Sequence, residues 1–521
     1  MKNEEEKEEG MKRKLEKIDK LDIIFAIIFL VAVFIRVWQF GKIPGGINQD
    51  EAFSGYEAYS LLNYGKDSSG YANPVYFEAW GSGMNALNSY LMMPFIAIFG
   101  LKVWAIRIPQ CIVACLTILA VFLLVNEMFN KKLAVICSGL LAIAPWHIML
   151  SRWGLESNMA PGFLIFGLYF FVKGLKNARW MYVSALMYGL SLYCYATIWP
   201  FVPIMLLMQV GYCIKHKKIK IQKETIISVV IIFALALPLM LFMLVNYNVI
   251  GEIKTYFFSI PKLQCARLGE ISFHNIGKNF EKMFEIIVLQ CDGLPRNSIL
   301  GHGIFYYCTL PFLVVGLYTI IKEAVKDRKS EFKYEIILLI QLVMGIFLGT
   351  LIYVNVNRIN CIYIPIIIIS GIGIYKFCEC AGKKVLLGIS IMYIGFFAVF
   401  SCYYFNDYQK EISPFFYEGV GNAIDEAQKH EGTVYISDIV SYSVVLFYSN
   451  ENVNEFLDTV KYKNYPDEYL ETKSFGRYEF IEEPENIEDN GIYIFSKKKK
   501  KFFEKKGYNV KEYKNYIIAY K

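Results

Sequence analysis

Charged residues are scarce in this sequence. Only 19% of the 521 residues are Asp, Glu, Lys or Arg, whereas 55% are hydrophobic, and the mean hydropathy is +0.36. A soluble protein of this length carries more charge and interrupts its apolar segments more often. The composition therefore excludes a set of ordinary soluble domains. The net charge of +7 does not indicate a nucleic-acid partner, because the lysines fall in short clusters between apolar segments.

A disulfide framework and a cleavable signal peptide are also missing. Most of the 12 cysteines lie inside apolar stretches, where Cys behaves as a small hydrophobe. Cys378 and Cys380 are too few for a structural zinc site. Only Cys265 and Cys291 share a long polar loop, so a disulfide between them stays open as an alternative. The charged N-terminus leads into an apolar segment without a small-residue cleavage pattern, and we expect that segment to be the first membrane anchor.

The apolar segments are long enough to cross a bilayer, which takes about 20 residues for each helix. The length rule predicts an α-helical polytopic membrane protein with roughly eleven spans. We place them near residues 22–40, 104–126, 132–150, 160–176, 180–196, 199–214, 225–246, 303–321, 335–353, 361–377 and 385–404. The apolar stretch from Leu87 to Phe99 is shorter, and we expect a helix that lies at the membrane surface or re-enters it.

Basic residues predict the orientation, because cytoplasmic loops collect lysine and arginine. Basic clusters occur at 12–20, 131–132, 173–179, 215–220, 322–329 and 376–384. Placing all of them in the cytoplasm makes 41–103 and 247–302 long external loops. The N-terminus is then cytoplasmic, and eleven spans bring the C-terminus to the outside.

The sequence changes character after residue 404. Charged residues become dense, and strand-like segments (433–437, 491–496 and 516–520) alternate with helical ones (416–430 and 497–506). We therefore predict a transmembrane domain over 1–404 and a small extracytoplasmic α/β domain over 405–521, whose size is within the normal range for a domain.

The first external loop contains the residues with the most evident chemistry. It opens with Gly45-Gly46-Ile47-Asn48-Gln49-Asp50-Glu51-Ala52. Adjacent acids are costly near hydrocarbon, so they should face water or a polar cavity. A solvated acid pair is the simple interpretation. The rest of the loop makes a more specific interpretation possible: it continues with Gly65, Asp67, Gly70, the aromatic group Tyr76, Phe77 and Trp80, then Tyr90, Phe99-Gly100 and Arg107.

Without the aromatic group, this ordered series resembles the N-terminal half of the C-type (GT-C) membrane glycosyltransferases. The residues that carry the resemblance are Asp50-Glu51-Ala52, Gly65, Asp67, Gly70, Tyr90, Phe99-Gly100 and Arg107. That group includes the protein O-mannosyltransferases of glycosyltransferase family 39 and the lipid A aminoarabinose transferases. The segment 144–156 resembles the second external loop of the family, and Asn357-Arg358 followed by Pro365 is similar to its late Arg-containing loop. The resemblance covers 20–215 well and 350–375 loosely, whereas 405–521 matches no pattern that we can place.

The resemblance implies transfer of a sugar from a polyprenyl-phosphate or polyprenyl-diphosphate carrier to an acceptor on the outer face of the membrane. The acceptor, whether lipid, protein or wall polymer, is left open, as are the sugar and the number of subunits. The high Lys, Ile, Asn and Tyr content suggests a bacterium with an AT-rich genome, so we expect a plasma membrane and a role in the cell envelope.

The reaction that the resemblance implies is an inverting hexosyl or pentosyl transfer, which needs a base for the acceptor hydroxyl. Asp50 is the candidate base, and partial desolvation at the membrane boundary would raise its pKa. Glu51 would orient the acceptor or help to hold a cation.

The donor phosphate needs cationic partners at the same depth. Arg152 and Arg358 are the candidates, since Arg forms bidentate contacts with phosphate; snorkelling to the interface is the alternative for each. Glu156 would join Asp50 around a divalent cation, Mg²⁺ or Mn²⁺. Arg107 is expected to anchor the junction between loop and helix.

Two other functions remain as alternatives. A transporter or flippase of lipid-linked saccharides would need broken helices, internal repeats and ionisable residues within the spans, whereas these spans are almost empty of charge. A surface-glycan polymerase or ligase would use Arg and His in a large late loop, and residues 247–302 contain Arg267, His274 and Arg296. The opening acids Asp50 and Glu51 favour the transferase.

Overall fold

The computed structural model describes residues 19–266, 272–326, 331–484 and 491–521. Four of the basic residues used for the orientation at the N-terminus (Lys12, Arg13, Lys14 and Lys17) lie outside these ranges. The same is true of Arg267, Arg328 and Lys329.

Each of the eleven apolar segments contains a helix. The helices are Lys20–Val37, Val103–Met128, Lys131–Ile143, Ala160–Gly174, Trp180–Ser191, Ile198–Lys215, Lys223–Asn246, Thr309–Lys326, Tyr334–Leu351, Tyr363–Ala381 and Lys383–Asn406. Within the described ranges, six helices are long and apolar enough to cross a membrane by length and composition. These observations confirm a multi-pass membrane protein, while the count of eleven spans stays a prediction.

Two of the predicted segments have different boundaries in the structure. The segment 132–150 is divided at Ala144, because Pro145 opens a separate helix over Pro145–Leu150. Proline is favoured in the first turn of a helix and breaks a helix interior. The segment 303–321 becomes helical only at Thr309, since Gly303 and Tyr306 have positive φ angles of 80° and 65°.

The first external loop is more regular than the sequence suggested. It contains an unpredicted helix, Gln49–Tyr64, and a hairpin of Tyr76–Phe77 with Met84–Asn85. The predicted helix Leu87–Phe99 follows. The second external loop holds the hairpin Ile253–Lys254 with Ser259–Ile260 and the helix Ile276–Leu289. Its two cysteines, Cys265 and Cys291, are both free thiols, so the disulfide left open above does not form.

The C-terminal part of the chain folds around a seven-stranded sheet. We number its strands β1 Val434–Ser437, β2 Lys461–Tyr462, β3 Thr472–Phe475, β4 Tyr478–Ile481, β5 Ile492–Ser496, β6 Asn509–Tyr513 and β7 Tyr516–Tyr520. The order across the sheet is β6-β7-β5-β1-β4-β3-β2. The central strand β1 is parallel to both of its neighbours, and the other pairs are antiparallel. The three predicted strand segments are all strands.

Short helices complete this α/β unit. They are Tyr408–Ile412, Val420–Ala427, Tyr442–Ser449, Val453–Thr459 and Lys500–Lys505. The helix expected over 416–430 is shorter than predicted because Tyr417 and Gly419 adopt positive φ angles of 46° and 104° just before it begins.

One hydrophobic core joins the first external loop to the C-terminal sheet. Phe53 and Phe77 of the loop belong to the same buried cluster as Ile436, Leu446 and Ile494. The main-chain N–H of Ile47 also donates to the carbonyl of Phe416 at 2.7 Å. The loop and the C-terminal sheet therefore form one packed layer above the helices.

Candidate active site

The helix Gln49–Tyr64 fixes the positions of Asp50 and Glu51. Asn48 caps this helix: its side chain accepts from the main-chain N–H of Asp50 at 3.0 Å, and its own N–H donates to Glu51 Oε1 at 3.1 Å. This is a capping box. It places the two acids in the first helical turn, where the helix dipole stabilises negative charge. That stabilisation opposes the effect of desolvation that we expected at Asp50.

Glu51 points into the protein and its carboxylate is fully occupied by protein donors. Its side chain is completely buried. Oε2 accepts from Arg107 Nε at 3.0 Å and from the N–H of Gly154 at 2.8 Å, and Oε1 accepts from Arg107 Nη2. The structure therefore gives Glu51 a positioning role in place of the acceptor-orienting or cation-binding role proposed from the sequence. Arg107 also donates to the carbonyls of Pro44 and Gly46, which agrees with the anchoring role expected for it.

Arg152 likewise makes its hydrogen bonds within the protein. Its completely buried guanidinium donates to five main-chain carbonyls, those of Ile35, Arg36, Trp38, Gln39 and Ile43, at 2.8 to 3.1 Å. These include the unpaired carbonyls at the end of the helix Lys20–Val37, which need partners. All five N–H groups of an arginine are then in use. Arg152 caps a helix, and the phosphate contact proposed for it does not fit this geometry.

Asp50, Glu156 and Arg358 line one cavity of about 650 Å³. The cavity lies between the helical part and the C-terminal sheet. Its other polar walls come from the late external segments and from the C-terminal part of the chain, and include Arg296, Asn297, Asn355, Asn357, Asp438, Lys463 and Glu471. Three residues that the sequence resemblance singled out therefore meet at one site.

The two arginines of the cavity are held together by a polar bridge between two external segments. Asp292 Oδ2 accepts from Asn297 Nδ2 at 2.7 Å and from the N–H of Val356 at 3.0 Å. Asn357 Nδ2 also donates to Asn297 Oδ1 at 2.7 Å. Because 292–297 and 355–358 are joined in this way, Arg296 and Arg358 are presented to the same space. Arg296 appeared in the sequence analysis only as part of the polymerase alternative, since its loop gave no sign of where it packs.

Glu156 is nearly buried at the base of the cavity, with 9% of its surface exposed. Its Oε2 accepts from the main-chain N–H of Asn85 in the external hairpin. Within the described ranges, no group of three or more His, Cys, Asp and Glu side chains is arranged to hold a metal ion. Asp50 and Glu156, the pair expected from the sequence to hold a cation, both line the cavity, and carboxylate oxygens are the donors that Mg²⁺ prefers.

The C-terminal sheet supplies a charged wall that sequence reasoning missed. Lys463 Nζ lies 3.4 Å from Asp438 and 3.9 Å from Glu471. Nearby, Ser443 Oγ donates to the carbonyl of Gln49 at 3.0 Å, directly beside Asp50. The sequence could not show this contact, because residues almost 400 positions apart meet only through the tertiary fold.

Tyr417 lies at the same junction. Its hydroxyl donates to Gln49 Oε1 at 3.5 Å. Burial raises the pKa of Tyr417, and so does the negative charge of Asp50, whereas the charge of Arg296 acts in the opposite direction. The charges of a candidate base and of a candidate phosphate ligand therefore both act on the hydroxyl of Tyr417.

The aromatic side chains of the first loop do not all reach the cavity. Trp80 lines the cavity, whereas Phe77 is completely buried and Tyr76 packs against Trp199 and Phe242. Three histidines lie outside the cavity. His147 is buried, and its Nδ1 lies 2.7 Å from Arg36 Nη2. His274 is exposed, and His302 stacks on Tyr403, so none of the three lines the cavity.

Comparison with known proteins identifies the fold of this site. Residues 86–242 match the family model described as dolichyl-phosphate-mannose-protein mannosyltransferase. ArnT from Cupriavidus metallidurans in the apo state is similar with a TM-score of 0.56 and 11% identity, over 95% of this chain and 97% of that one. The GT-C resemblance is confirmed. A search of curated proteins finds no match.

Two further GT-C structures have the same fold. ArnT from the same organism bound to undecaprenyl phosphate is similar with a TM-score of 0.52 and 13% identity, again over 95% of this chain and 97% of that one. The oligosaccharyltransferase of Archaeoglobus fulgidus, in complex with Zn and sulfate, gives 0.52 and 17% over 82% of this chain, which spans only 61% of that protein. The likeness to ArnT covers 95% of this chain and 97% of that one, so it reaches into the α/β unit that the sequence could not assign.

Proposed function

We propose that this protein is a lipid-carrier-dependent glycosyltransferase. It moves a sugar from a polyprenyl-phosphate carrier to an acceptor on the outer face of the membrane. The observation that carries the proposal is the single cavity in which the carboxylate of Asp50 shares a space with Arg296 and Arg358. The fold shared with ArnT bound to undecaprenyl phosphate supports the choice of carrier.

The groups in the cavity suit an inverting displacement. The acceptor hydroxyl attacks the anomeric carbon, the bond from that carbon to the phosphate oxygen breaks, and the phosphate leaves with the electron pair. Asp50 takes the proton from the hydroxyl. The guanidinium groups of Arg358 and Arg296 offset the charge that develops on the leaving phosphate, and such preorganised stabilisation is a large part of catalysis in sites of this kind.

A divalent cation is an optional component of this proposal. Asp50 and Glu156 would hold it, and when bound it would supply further positive charge to the phosphate. Glu51 and Arg152 do not contact the substrates in this proposal. Glu51 holds the start of the helix Gln49–Tyr64, and Arg152 holds the end of the helix Lys20–Val37. The transferred sugar would be a hexosyl or pentosyl group.

The active cavity should face away from the cytoplasm. The basic clusters at 131–132, 173–179 and 215–220 lie at the opposite ends of the helices from the first external loop. The positive-inside rule then puts the C-terminal sheet and the cavity outside the membrane. The N-terminus would be cytoplasmic, and the plasma membrane is the expected location.

A transfer assay tests the proposal. Purified protein is incubated with radiolabelled polyprenyl-phosphate sugars and a membrane extract as the source of acceptors. Wild type should consume at least one donor, and Asp50→Asn should not, because an amide cannot take the proton. Asp458→Asn is the matched control, since Asp458 is exposed on the C-terminal unit and should leave transfer unchanged.

Two results would count against the proposal. Full activity in Asp50→Asn would exclude Asp50 as the base. If no donor is consumed, while vesicles containing the protein move the lipid-linked sugar across the bilayer, the transporter alternative replaces the transferase.

A further inference from the structure

A second cavity of about 210 Å³ lies beside the first. The two cavities share a wall, because Trp80, Tyr442 and Leu470 line both. The second cavity is bordered by the first external loop, by the segment around Gln264 and by the C-terminal unit. Ligand sites for drug-sized molecules begin at about 300 Å³, so this cavity has room for a smaller group.

Three contacts bring these parts of the chain together around the cavity. Tyr465 Oη donates to Gln264 Oε1 at 2.8 Å, and the N–H of Leu470 donates to the carbonyl of Trp80 at 2.9 Å. The N–H of Cys265 donates to the carbonyl of Gly81, also at 2.9 Å.

Gly81 has a φ of +84°, and a Cβ there would lie 2.3 Å from the carbonyl oxygen of Asp467. The main chain at Gly81 and at Asp467 is therefore in close contact, and this contact helps to position the walls of the cavity.

The walls of the second cavity combine aromatic rings with uncharged or acidic hydrogen-bonding groups. Trp80 and Tyr442 meet edge to face with centroids 5.9 Å apart, and Tyr462 stacks with Tyr465 at 6.2 Å. Glu78, Gln264, Ser68 and Ser69 provide the other polar side chains. No lysine or arginine from the described part of the chain lines the cavity, which disfavours a phosphate or another anion.

The carboxyl group of Glu78 suits a neutral partner with several hydroxyl groups. Burial raises the pKa of Glu78 to about 7, although hydrogen bonds from Gln264 and Ser69 act in the opposite direction. A carboxyl group near this value both accepts and donates hydrogen bonds at neutral pH. Aromatic faces beside such groups match a saccharide, whose ring has apolar C–H surfaces edged with hydroxyl groups.

We propose that the second cavity binds one sugar ring of a saccharide acceptor, and that the rest of the acceptor extends past Trp80, Tyr442 and Leu470, which line both cavities, toward Asp50. The inference rests on the proposed glycosyl transfer and deepens it, since it names the chemical class of the acceptor. It also gives the C-terminal unit a role in recognising the acceptor, through Tyr442, Tyr462 and Tyr465.

Binding of the full-length protein in detergent to a glycan array tests this inference without any donor. Wild type should bind a subset of the glycans. Tyr465→Ala and Glu78→Gln should each weaken binding to the same glycans about tenfold, the loss expected for one aromatic contact or one hydrogen bond to a carboxyl group. Tyr465 is 60% exposed, so its truncation should leave the fold intact.

Matched controls separate this inference from the proposed reaction. Tyr256→Ala changes a tyrosine that is 90% exposed, and Glu281→Gln changes an exposed glutamate; both should bind like wild type. Asp50→Asn should also bind like wild type even though it transfers no sugar. Inactivity of wild type in the transfer assay together with intact glycan binding would therefore count against the reaction alone.

Three outcomes would overturn the inference. Wild type could bind no glycan on the array, or the Tyr465 and Glu78 variants could bind as well as wild type. Retention on a peptide array, with no glycan bound, would assign the cavity to a peptide acceptor.

Discussion

Asp50 and Glu51 are neighbours in the sequence but face opposite environments. Glu51 is completely buried against Arg107 and the N–H of Gly154, whereas Asp50 lines the large cavity. Successive residues of a helix point about 100° apart, and the cap provided by Asn48 fixes which of the two faces inward. The two acids should therefore respond differently to substitution.

Glu51→Gln should destabilise the protein. The change removes the negative charge from a buried pair and leaves Arg107 without its counter-ion, which costs about 3–5 kcal/mol in proteins. Thermal unfolding of the purified protein should show a lower Tm for Glu51→Gln, with Asp50→Asn close to wild type. An unchanged Tm with complete loss of transfer would instead restore a direct catalytic role for Glu51.

Arg152→Lys should lower the Tm although the charge is kept. Arg152 donates to five carbonyls at the end of the first helix, and a lysine has only three donors on a single nitrogen. At least two carbonyls would lose their partners. Arg179→Lys is the matched control, because Arg179 is exposed and should tolerate the change. If Arg152→Lys is as stable as wild type but needs more donor, the phosphate role proposed from the sequence would be revived.

Arg358→Ala should weaken binding of the donor without unfolding the protein. Arg358 is partly exposed at the cavity and packs over Tyr353 at 5.7 Å. Loss of a charge-assisted contact to phosphate costs about 1.5–3 kcal/mol, or about 10- to 150-fold. The KM for the polyprenyl-phosphate sugar should rise within that range, and Arg296→Ala should act in the same direction. Arg179→Ala serves as the control, and a KM equal to that of wild type for Arg358→Ala would exclude the phosphate contact.

The sequence predicted the parts of this molecule that depend on local pattern. The apolar segments contain the expected helices, and the segments 433–437, 491–496 and 516–520 are strands, because length and hydrophobic pattern determine both. The GT-C resemblance rested on short motifs in the right order, and two residues that it singled out, Asp50 and Arg358, line the same cavity. Their roles in transfer stay predictions.

The roles of buried charges could not be predicted in the same way. Glu51, Arg107 and Arg152 belong to conspicuous motifs, but nothing in the sequence shows that Arg152 turns back onto carbonyls more than 100 positions away. The charged wall of Lys463 and Asp438 and the position of Arg296 also depend on contacts between distant segments. Tertiary packing decides which conspicuous charges reach the substrate and which stabilise the fold.

A buried acid pair makes the stability of the first external loop depend on pH. Glu57 and Asp67 are almost completely buried, and burial, followed by the charge of Asp67, raises the pKa of Glu57 well above its ordinary value of 4.5. Burial also raises the pKa of Asp67, whose Oδ2 has no hydrogen-bond partner among the described residues. Glu57 accepts from Ser68. Other titratable groups face the pair, namely Tyr56, Glu78, Tyr90, Tyr442 and Tyr462.

The sign of the effect follows from proton binding. Between pH 4.5 and the raised values, the folded protein binds more protons than the unfolded chain, so the free energy of unfolding falls as the pH rises. The stabilisation is fully present below 4.5 and is lost as the pH passes through the raised pKa values. Tm measurements from about pH 5 to about pH 8 should show a decline in wild type that is smaller in Glu57→Gln. Glu281→Gln, an exposed control, should decline like wild type, and an equal decline in Glu57→Gln would show that this pair does not set the pH dependence.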